Sequence, residues 1–239
     1  MEKMSEKQTL PRHVAIIMDG NRRWARKHML QVAMGHRKGV DALRNIIRES
    51  SDLGIEALTL YAFSTENWHR APSEVQTLME LLLEYFTKEI DELDREHVCI
   101  RILGVKEALP AAQQEALRAA EARTCKNTGL KLNIAINYGS RDELVRCVRK
   151  IAQEAADGKI TPDLIDADTI SDHLDTRGLP DVDLLIRTSG EIRLSNFLLY
   201  QMAYAEFVFT DVLWPDYDLA EYHKALDVYA HRVRRFGGG

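Results

Sequence analysis

Short apolar runs alternate along the chain with longer amphipathic stretches. Each run is rich in Val, Ile, Leu or aromatic residues, which is typical of strands buried in a parallel sheet. The runs that predict strands are Val14–Met18, Ala57–Phe63, Val98–Gly104, Leu130–Ile136, Val182–Thr188 and Glu206–Val212. The amphipathic stretches predict helices at Lys38–Leu53, Glu74–Glu96, Ala111–Thr124, Arg141–Asp157, Asp168–Leu174, Leu194–Ala203 and Leu219–Phe236.

The order of these elements predicts the fold class. Strand–helix–strand units build a mostly parallel sheet with helices on both faces. Apart from the terminal GGG, the chain has no linker, repeat or low-complexity tract. We therefore predict an α/β fold, with a single domain over residues 1–239 and a mostly parallel six-stranded central sheet flanked by helices. We expect residues 1–11 and 237–239 to be flexible.

One predicted helix, Glu74–Glu96, has more apolar surface than a single packing partner needs. Val75, Leu78, Leu82 and Phe86 form one stripe, and further apolar residues widen it onto a second face. One face can pack against the sheet. The other face requires another helix, another subunit or an apolar ligand, and the sequence leaves these possibilities open.

Composition narrows the class of protein. The 239 residues carry a formal net charge of −5 and are 45% apolar, which indicates a folded core and argues against nucleic-acid binding. The three cysteines form no CxxC pair, so a disulfide framework or a zinc site is disfavoured. The N-terminus lacks the apolar segment of a secretory signal, and no apolar run is long enough to span a membrane. We expect a cytoplasmic protein, a location that also allows peripheral contact with the inner face of the membrane.

Polar residues gather directly after four of the predicted strands. In an open parallel sheet, ligands bind beyond the carboxyl ends of the strands, so these segments should meet at one rim. The segments are Asp19–Arg23, Ser64–Asn67 with Arg70, Asn137–Arg141, and Arg187–Gly190 with Arg193 and Ser195.

This rim has the composition of a magnesium diphosphate site. Several arginines would repel one another unless an anion lay among them, and the guanidinium fork suits phosphate oxygens. Asp19 fits such a site if it holds Mg²⁺ that also touches the anion, with Glu206 as a possible second carboxylate. Asp19 as a turn residue, His36 as a helix-start residue and Glu206 as an ion-pair partner are the structural alternatives.

Familiar phosphate motifs are absent from the sequence. No GxxxxGK[ST] motif is present, which disfavours a P-loop NTPase, and no GxGxxG motif follows the first strand, which disfavours a dinucleotide-binding domain. A hydrolase that forms an aspartyl phosphate on Asp19 would need a second acid two residues later, where Asn21 stands.

Long motifs run through the chain in a consistent order. They are HVAIIMDGNRRWA, GHRKGV, YAFSTENWHR, LNIAINYGSRDEL, DLLIRTSGEIRLSNFLLYQMAYAEFVFTDVLWPD and the ending RRFGG. In these motifs, from Arg12 to Gly238, the chain resembles the cis-prenyltransferases, and most of all the bacterial undecaprenyl diphosphate synthases.

The resemblance implies an isoprenyl transferase that condenses isopentenyl diphosphate in cis onto an allylic primer, farnesyl diphosphate. The implied product is a polyprenyl diphosphate, undecaprenyl diphosphate, which serves cell-wall lipid carrier synthesis and is delivered to the membrane. It also implies Mg²⁺ as cofactor, a homodimer, and an apolar tunnel between sheet and helices for the growing chain. Such a tunnel would supply the missing partner of the Glu74–Glu96 helix.

The resemblance also implies roles for individual residues. Asp19 would bind the metal and act in catalysis, Glu206 would be the second metal carboxylate, and Asn67 would assist proton removal. The implied substrate-binding residues are Gly20, Asn21, Arg22, Arg23, Trp24, His36, Ser64, Thr65, Glu66, Trp68, Arg70, Arg187, Arg193, Leu194 and Ser195.

Two further roles concern the dimer and the product. Arg235, Phe236 and Gly237 match an RxG element that reaches a neighbouring active site across the dimer. Leu130 matches a residue at the floor of the tunnel, so Leu130→Ala would lengthen the product. The rival to an enzyme is a non-catalytic accessory subunit of a mixed dimer, although such relatives have lost catalytic residues that this chain retains.

Overall fold

The central sheet contains six strands, all parallel, in the spatial order β3-β4-β2-β1-β5-β6 in the computed structural model, which describes residues 10–232. The strands are β1 His13–Ile17, β2 Ala57–Ser64, β3 Cys99–Leu103, β4 Lys131–Tyr138, β5 Leu184–Arg187 and β6 Glu206–Phe209. Each predicted strand is present, and the predicted α/β fold with a six-stranded parallel sheet is confirmed.

Seven α-helices connect and cover the strands in the described residues. They are α1 Asn21–Lys27, α2 Val32–Asp52, α3 Pro72–Arg95, α4 Ala111–Thr124, α5 Ser140–Ala156, α6 Ala167–His173 and α7 Leu219–Ala230. None of the helices described is long and apolar enough to cross a membrane. Of the ends predicted to be flexible, only residues 10–11 are described, and Arg235, Phe236 and Gly237 lie outside the described range.

The predicted helix at Leu194–Ala203 is wrong. The segment forms a series of turns, because Ser195, Asn196 and Leu198 have φ angles of 50°, 60° and 41°, which a right-handed helix does not allow. Phe197 and Leu198 are nevertheless fully buried, so the apolar spacing reflects burial of this segment rather than helix formation.

Alternate residues of β1 support two separate cores. Val14 and Ile16 belong to the larger core, which also contains side chains of α2, α3, α4 and α7. Ala15 and Ile17 point to the opposite face, where the turn segment 194–203 supplies much of the smaller core. The sheet is thus buried on both faces, as the continuous apolar runs predict.

A buried histidine, His13, lies at the start of β1. Its Nδ1 is 2.8 Å from the Pro180 carbonyl oxygen, and its Nε2 is 2.7 Å from Thr59 Oγ1. The carbonyl can only accept, so Nδ1 carries the proton and Nε2 accepts from the hydroxyl. Burial lowers the pKa of His13 below its ordinary value, although the Pro180 hydrogen bond and nearby acids oppose this shift.

We expect His13 to make the fold less stable in mild acid. The unfolded chain takes up a proton near pH 6.5 while the folded chain resists it, so the free energy of unfolding falls as pH drops below that value. The slope from one proton is at most about 1.4 kcal/mol per pH unit. Urea unfolding is measured from pH 7.5 to 5.5, about one unit on either side of the ordinary histidine pKa. The free energy of unfolding should depend less steeply on pH in His13→Gln than in the wild type. The exposed His69→Gln variant should keep the wild-type slope; equal slopes for all three proteins would contradict this assignment.

Candidate active site

A cavity of about 820 Å³ opens at the carboxyl ends of the central strands. The described structure brings thirteen of the predicted site residues to its wall. They are Asp19, Gly20, Asn21, Arg22, Arg23, His36, Ser64, Glu66, Asn67, Arg70, Arg187, Arg193 and Ser195. The parallel-sheet rule therefore located three of the four predicted segments correctly, whereas no residue of the fourth, Asn137–Arg141, lines the cavity.

The turn after β1 is shaped by glycines. Gly20 has φ 113°, a conformation that side chains rarely adopt, and it leads from Asp19 directly into α1. Gly39 on α2 faces Asn21 so closely that an added Cβ would lie 2.4 Å from Asn21 Oδ1. The DGN and GHRKG motifs thus allow α1 and α2 to pack tightly beside the rim.

Asp19 is held between two arginines. Its Oδ2 accepts a hydrogen bond from Arg187 Nη2 at 2.9 Å, and its Oδ1 lies 3.2 Å from Arg23 Nη2. Burial alone would raise the pKa of Asp19, but the two guanidinium groups outweigh burial and hold the pKa below its usual value. The carboxylate is therefore ionised at neutral pH, and each of its oxygens faces a guanidinium group.

Arg187 is a fixed, buried cation at the end of β5. Its Nη1 donates to the Arg193 carbonyl oxygen and to Ser195 Oγ, the latter at 2.8 Å. Its Nε is buried and has no hydrogen-bond partner within residues 10–232. Arg187 thus contacts both other predicted clamp residues, Ser195 through its hydroxyl and Arg193 through its backbone carbonyl.

The arginines of the rim have carboxylate partners that sequence reasoning missed. Arg23 and Arg193 both pair with Glu191, the former at 3.0 Å. These ion pairs limit the repulsion that an anion was expected to relieve. The signal was present in the sequence, because Glu191 lies in the same short segment as Arg193.

A second polar cluster centres on Glu74, in the first turn of α3. Its Oε1 lies 3.0 Å from Arg70 Nη1 and 3.3 Å from His36 Nε2, while Oε2 is 3.7 Å from Arg22 Nε. Burial lowers the pKa of His36, and Glu74 opposes this shift only in part. Neutral His36 therefore donates to Glu74, and the cluster ties α1, α2 and α3 together around the cavity.

The segment after β2 is a short 3₁₀ helix, Thr65–His69. Asn67 Oδ1 accepts from the Ser64 backbone N–H at 3.1 Å, which fixes the start of this helix. Glu66 accepts from Asn196 at 3.1 Å and so connects the segment to the turns after β5. The carboxyl ends of β2 and β5 are thus joined across the rim.

Four predicted site residues lie beside the cavity rather than on its wall: Trp24, Thr65, Trp68 and Leu194. The two indoles donate hydrogen bonds within the protein, Trp24 to Asp216 at 2.7 Å and Trp68 to Asn137 at 2.8 Å. Leu194 packs on the smaller core. The structure thus gives both indoles and Leu194 contacts that support the fold.

Glu206 does not join this site, and its predicted role as second ligand of the same ion is wrong within one chain. Glu206 is the first residue of β6 and pairs with Leu184, which in turn pairs with Val14. Glu206 therefore lies at the amino ends of the strands. Asp19 follows Val14 by five residues, a separation of roughly 16 Å along the strand direction. The Glu206 carboxylate instead pairs with Arg232 at 2.8 Å.

The inner part of the cavity is apolar. Its walls come from α2, the inner face of β2 and β4, and one side of α3. The apolar residues that line it include Val40, Leu43, Leu60, Leu78, Leu81, Leu82, Tyr85, Ile134 and Ile136. The second apolar face of α3 therefore borders a space that can hold an apolar ligand.

The cavity does not extend to Leu130. Ile134 pairs with Leu60, and these are the deepest strand residues on the cavity wall. Leu130 precedes Ile134 by four residues, about 13 Å further along the strand. Leu130 is buried in the larger core below the cavity.

The donor set at the rim fits a cation that is shared with a bound anion. Residues 10–232 contain no group of three or more His, Cys, Asp or Glu side chains arranged to hold a metal ion. Mg²⁺ commonly takes one or two carboxylates and completes its shell with phosphate oxygens and water. One ionised carboxylate, Asp19, beside several arginines meets that requirement.

Known proteins are similar to this chain over nearly its whole length. The prenyltransferase family model, described by the name undecaprenyl diphosphate synthase, matches residues 17–237. An isoprenyl transferase of Agrobacterium fabrum is 51% identical over 231 residues, covering 97% of this chain and 94% of the relative. An isoprenyl transferase of Streptococcus agalactiae serotype III is 48% identical over 234 residues, covering 96% and 94%.

Solved structures share the fold. Lavandulyl diphosphate synthase from Lavandula x intermedia, in complex with dimethylallyl diphosphate, has a TM-score of 0.93 and 39% identity, covering 95% of this chain and 98% of its own. A probable undecaprenyl diphosphate synthase from Campylobacter jejuni has a TM-score of 0.78 and 31% identity, covering 98% and 100%. The polar rim and apolar cavity therefore belong to an enzyme: this chain is a member of the undecaprenyl diphosphate synthase family of prenyltransferases.

Proposed function

We propose that this prenyltransferase extends farnesyl diphosphate with isopentenyl diphosphate units in cis. The observation that supports this most is the division of one cavity into a basic rim and an apolar interior. The rim suits diphosphate groups, and the interior removes hydrocarbon from water, which favours a growing isoprenoid chain. The product we propose is a polyprenyl diphosphate, undecaprenyl diphosphate, for cell-wall lipid carrier synthesis.

The allylic primer is assigned to the side of the rim formed by β1 and α1. Arg22 and Arg23 supply charge there, and the backbone of Gly20 and Asn21 allows close approach of the diphosphate. This placement puts the hydrocarbon tail in the apolar cavity. The lavender enzyme, whose complex contains dimethylallyl diphosphate, binds a member of the same ligand class.

Isopentenyl diphosphate is assigned to Arg187, Arg193 and Ser195. Arg187 is held in place because it is buried and its guanidinium bonds to Arg193, Ser195 and Asp19, so a bound diphosphate would replace one of these partners. With both diphosphates on one rim, the allylic carbon lies near the isopentenyl double bond. Such proximity can contribute up to about 7–11 kcal/mol to lowering the barrier.

The reaction breaks the allylic carbon–oxygen bond and forms a carbon–carbon bond to isopentenyl diphosphate. Diphosphate leaves with the bonding electron pair, and one proton is lost as the new double bond forms. Arg22 and Arg23 stabilise the leaving charge, and Asn67 is the residue we assign to proton removal. When bound, Mg²⁺ held by Asp19 and diphosphate oxygens would supply further charge neutralisation.

The assembly that we propose is a homodimer, with Arg235 and Gly237 of one chain reaching the site of the other. Both residues lie outside the described range, so this part of the proposal rests on the sequence motif alone. Prenyl transfer by the purified chain alone would distinguish this enzyme from an accessory subunit of a mixed dimer.

A sizing experiment tests the whole proposal. The purified chain is incubated with Mg²⁺, labelled isopentenyl diphosphate, and primers that carry one, two or three isoprene units. We expect label to enter longer chains with new cis double bonds, and the three-unit farnesyl primer to be used best. Phosphate release without elongation would indicate a hydrolase, and no reaction by the chain alone would indicate an accessory subunit; either result contradicts the proposal.

A further inference from the structure

The turn between α1 and α2 exposes an apolar surface beside the cavity. Met29 is 94% exposed, Met34 is 47% exposed and Leu30 is 45% exposed. These three residues, here called the apolar tip, lie within six consecutive positions and pack on no core cluster in the described chain. Met29 has φ 56°, so the backbone turns sharply at the most exposed of the three.

Basic residues flank the apolar tip on both sides. Residues 20–40 contain no acid, although the whole chain has a net charge of −5. The basic residues in this segment are Arg22, Arg23, Arg26, Lys27, Arg37 and Lys38. The concentration of positive charge around exposed apolar side chains therefore contrasts with the rest of the protein.

Much of this positive charge is available to a ligand outside the protein. Arg26 and Lys27 are exposed and form no ion pair with any residue in the described part of the chain. The ion pairs of Arg37 with Glu84 and of Lys38 with Asp41 are long, 3.5 Å and 3.6 Å. Exposed ion pairs of this kind are weak, so Arg37 and Lys38 can also interact with an external anion.

We propose that the apolar tip and its basic flanks form a docking surface for an anionic lipid bilayer. Exposed apolar side chains enter the boundary between headgroups and acyl chains, while lysine and arginine attract anionic headgroups. A second copy of the same surface is a poor partner, because two basic faces repel each other. The charge thus favours an acidic lipid surface over self-association.

The position of this surface matters for a lipid product. Arg22 and Arg26 line the cavity and also belong to the basic flank, so docking brings the cavity mouth next to the bilayer. This benefit rests on the proposed function, because only an isoprenoid product needs transfer into lipid. The binding itself does not, and it can be measured without substrate.

Vesicle co-sedimentation of the full chain tests the proposal. The vesicles contain phosphatidylcholine alone or phosphatidylcholine with phosphatidylglycerol, each at low and high salt. We expect binding to the anionic vesicles that weakens at high salt, and little binding to the neutral ones. Binding that ignores both headgroup charge and salt would overturn the proposal.

Variants locate the binding surface. Met29→Asn/Leu30→Gln/Met34→Gln should weaken binding roughly tenfold or more, and Asn suits the positive φ at position 29. Lys27→Glu should weaken vesicle binding by about fivefold or more, which is the contribution expected from one basic residue at an anionic surface. The matched controls are Val148→Gln, which replaces a 61% exposed apolar residue on α5, and Lys126→Glu. Both controls should bind as the wild type does.

Two further measurements separate the possible outcomes. Turnover of a short primer in detergent should be the same in wild type and in the apolar-tip variant, so a loss of vesicle binding cannot be ascribed to misfolding. If the apolar-tip variant binds vesicles as strongly as the wild type does, the proposal is overturned. It is also overturned if, without vesicles, the wild type self-associates and the apolar-tip variant does not, because the tip would then be a contact between copies of this chain. If the wild type binds vesicles but transfers no prenyl group, the docking surface stands and the proposed function fails.

Discussion

Asp19→Asn is expected to reduce kcat/KM for prenyl transfer by roughly 10²–10³-fold or more, the range for loss of one preorganised charge-stabilising group. The amide has the same shape, but it cannot neutralise a cation that is shared with the primer diphosphate. Since Asp19 is the carboxylate on the cavity wall nearest to Arg23 and Arg187, no neighbour in the described structure replaces it. The measurement is steady-state turnover over a range of Mg²⁺ concentrations.

A matched control separates this role from general charge balance. Glu191→Gln also removes a carboxylate from Arg23, but Glu191 does not line the cavity. We expect the Glu191 variant to keep most of its activity. Near-normal rates for Asp19→Asn, or equal losses in both variants, would refute the assigned metal role.

The same variant should bind free diphosphate differently. With Mg²⁺ removed by a chelator, Asp19 competes with an anion for Arg23 and Arg187. Asp19→Asn removes that competitor, so metal-free inorganic diphosphate should bind more tightly to the variant than to the wild type. Calorimetric titration can show this gain alongside the loss of turnover, and a merely structural role for Asp19 would not produce both.

The meeting of Asp19 and Arg187 could be predicted from the sequence. The two residues lie 168 positions apart, yet each follows or ends a short apolar run. In a parallel sheet the carboxyl ends of the strands share one edge, so both side chains were expected at the same rim. The geometry depends on strand direction alone, and this is why the rim was predicted well.

The same rule explains the error at Glu206. Glu206 opens its strand, whereas Asp19 follows one, so the two had to lie at opposite edges of a parallel sheet. Both the composition of the rim and the motif match suggested Glu206 as a second carboxylate, although a residue at the start of a strand cannot lie at that rim in the same chain. The structural alternative, an ion-pair partner, is the role that the structure shows.

Other features depend on contacts that no local pattern encodes. The turns at 194–203 bury Phe197 and Leu198 with a spacing that also suits a helix, and only the positive φ angles distinguish the two. Glu74 was predicted as part of α3, but its partners come from three other segments of the chain. Such partners become visible only once the helices have been placed in space.

The depth of the cavity leads to a prediction about product length. Along β2 the wall runs from Ser64 to Leu60, which is about 13 Å. One extended isoprene unit spans about 5 Å, given carbon–carbon bonds of about 1.5 Å. The cavity therefore holds about three units, the length of a farnesyl chain. A longer chain must pass Tyr85, the cavity residue nearest the C-terminal end of α3.

We expect Tyr85 to limit chain length before Leu130 does. Tyr85→Leu should shift the product distribution to longer chains, because a smaller side chain opens the space between α3 and the sheet, while Tyr85→Trp should shorten it. Leu130→Ala alone should have the smaller effect, because Leu130 lies below the cavity. Combined with Tyr85→Leu, it should lengthen the product further.

Chromatographic sizing of the labelled products, at equal total turnover, measures these shifts. Phe86→Leu is the matched control, because Phe86 is the buried neighbour of Tyr85 but does not line the cavity. Phe86→Leu should leave the distribution of product lengths unchanged. It also shows how far a substitution in the core lowers stability. If Leu130→Ala lengthens the chains while both Tyr85 variants match the wild type, the growing chain follows another path, and Tyr85 is not the barrier.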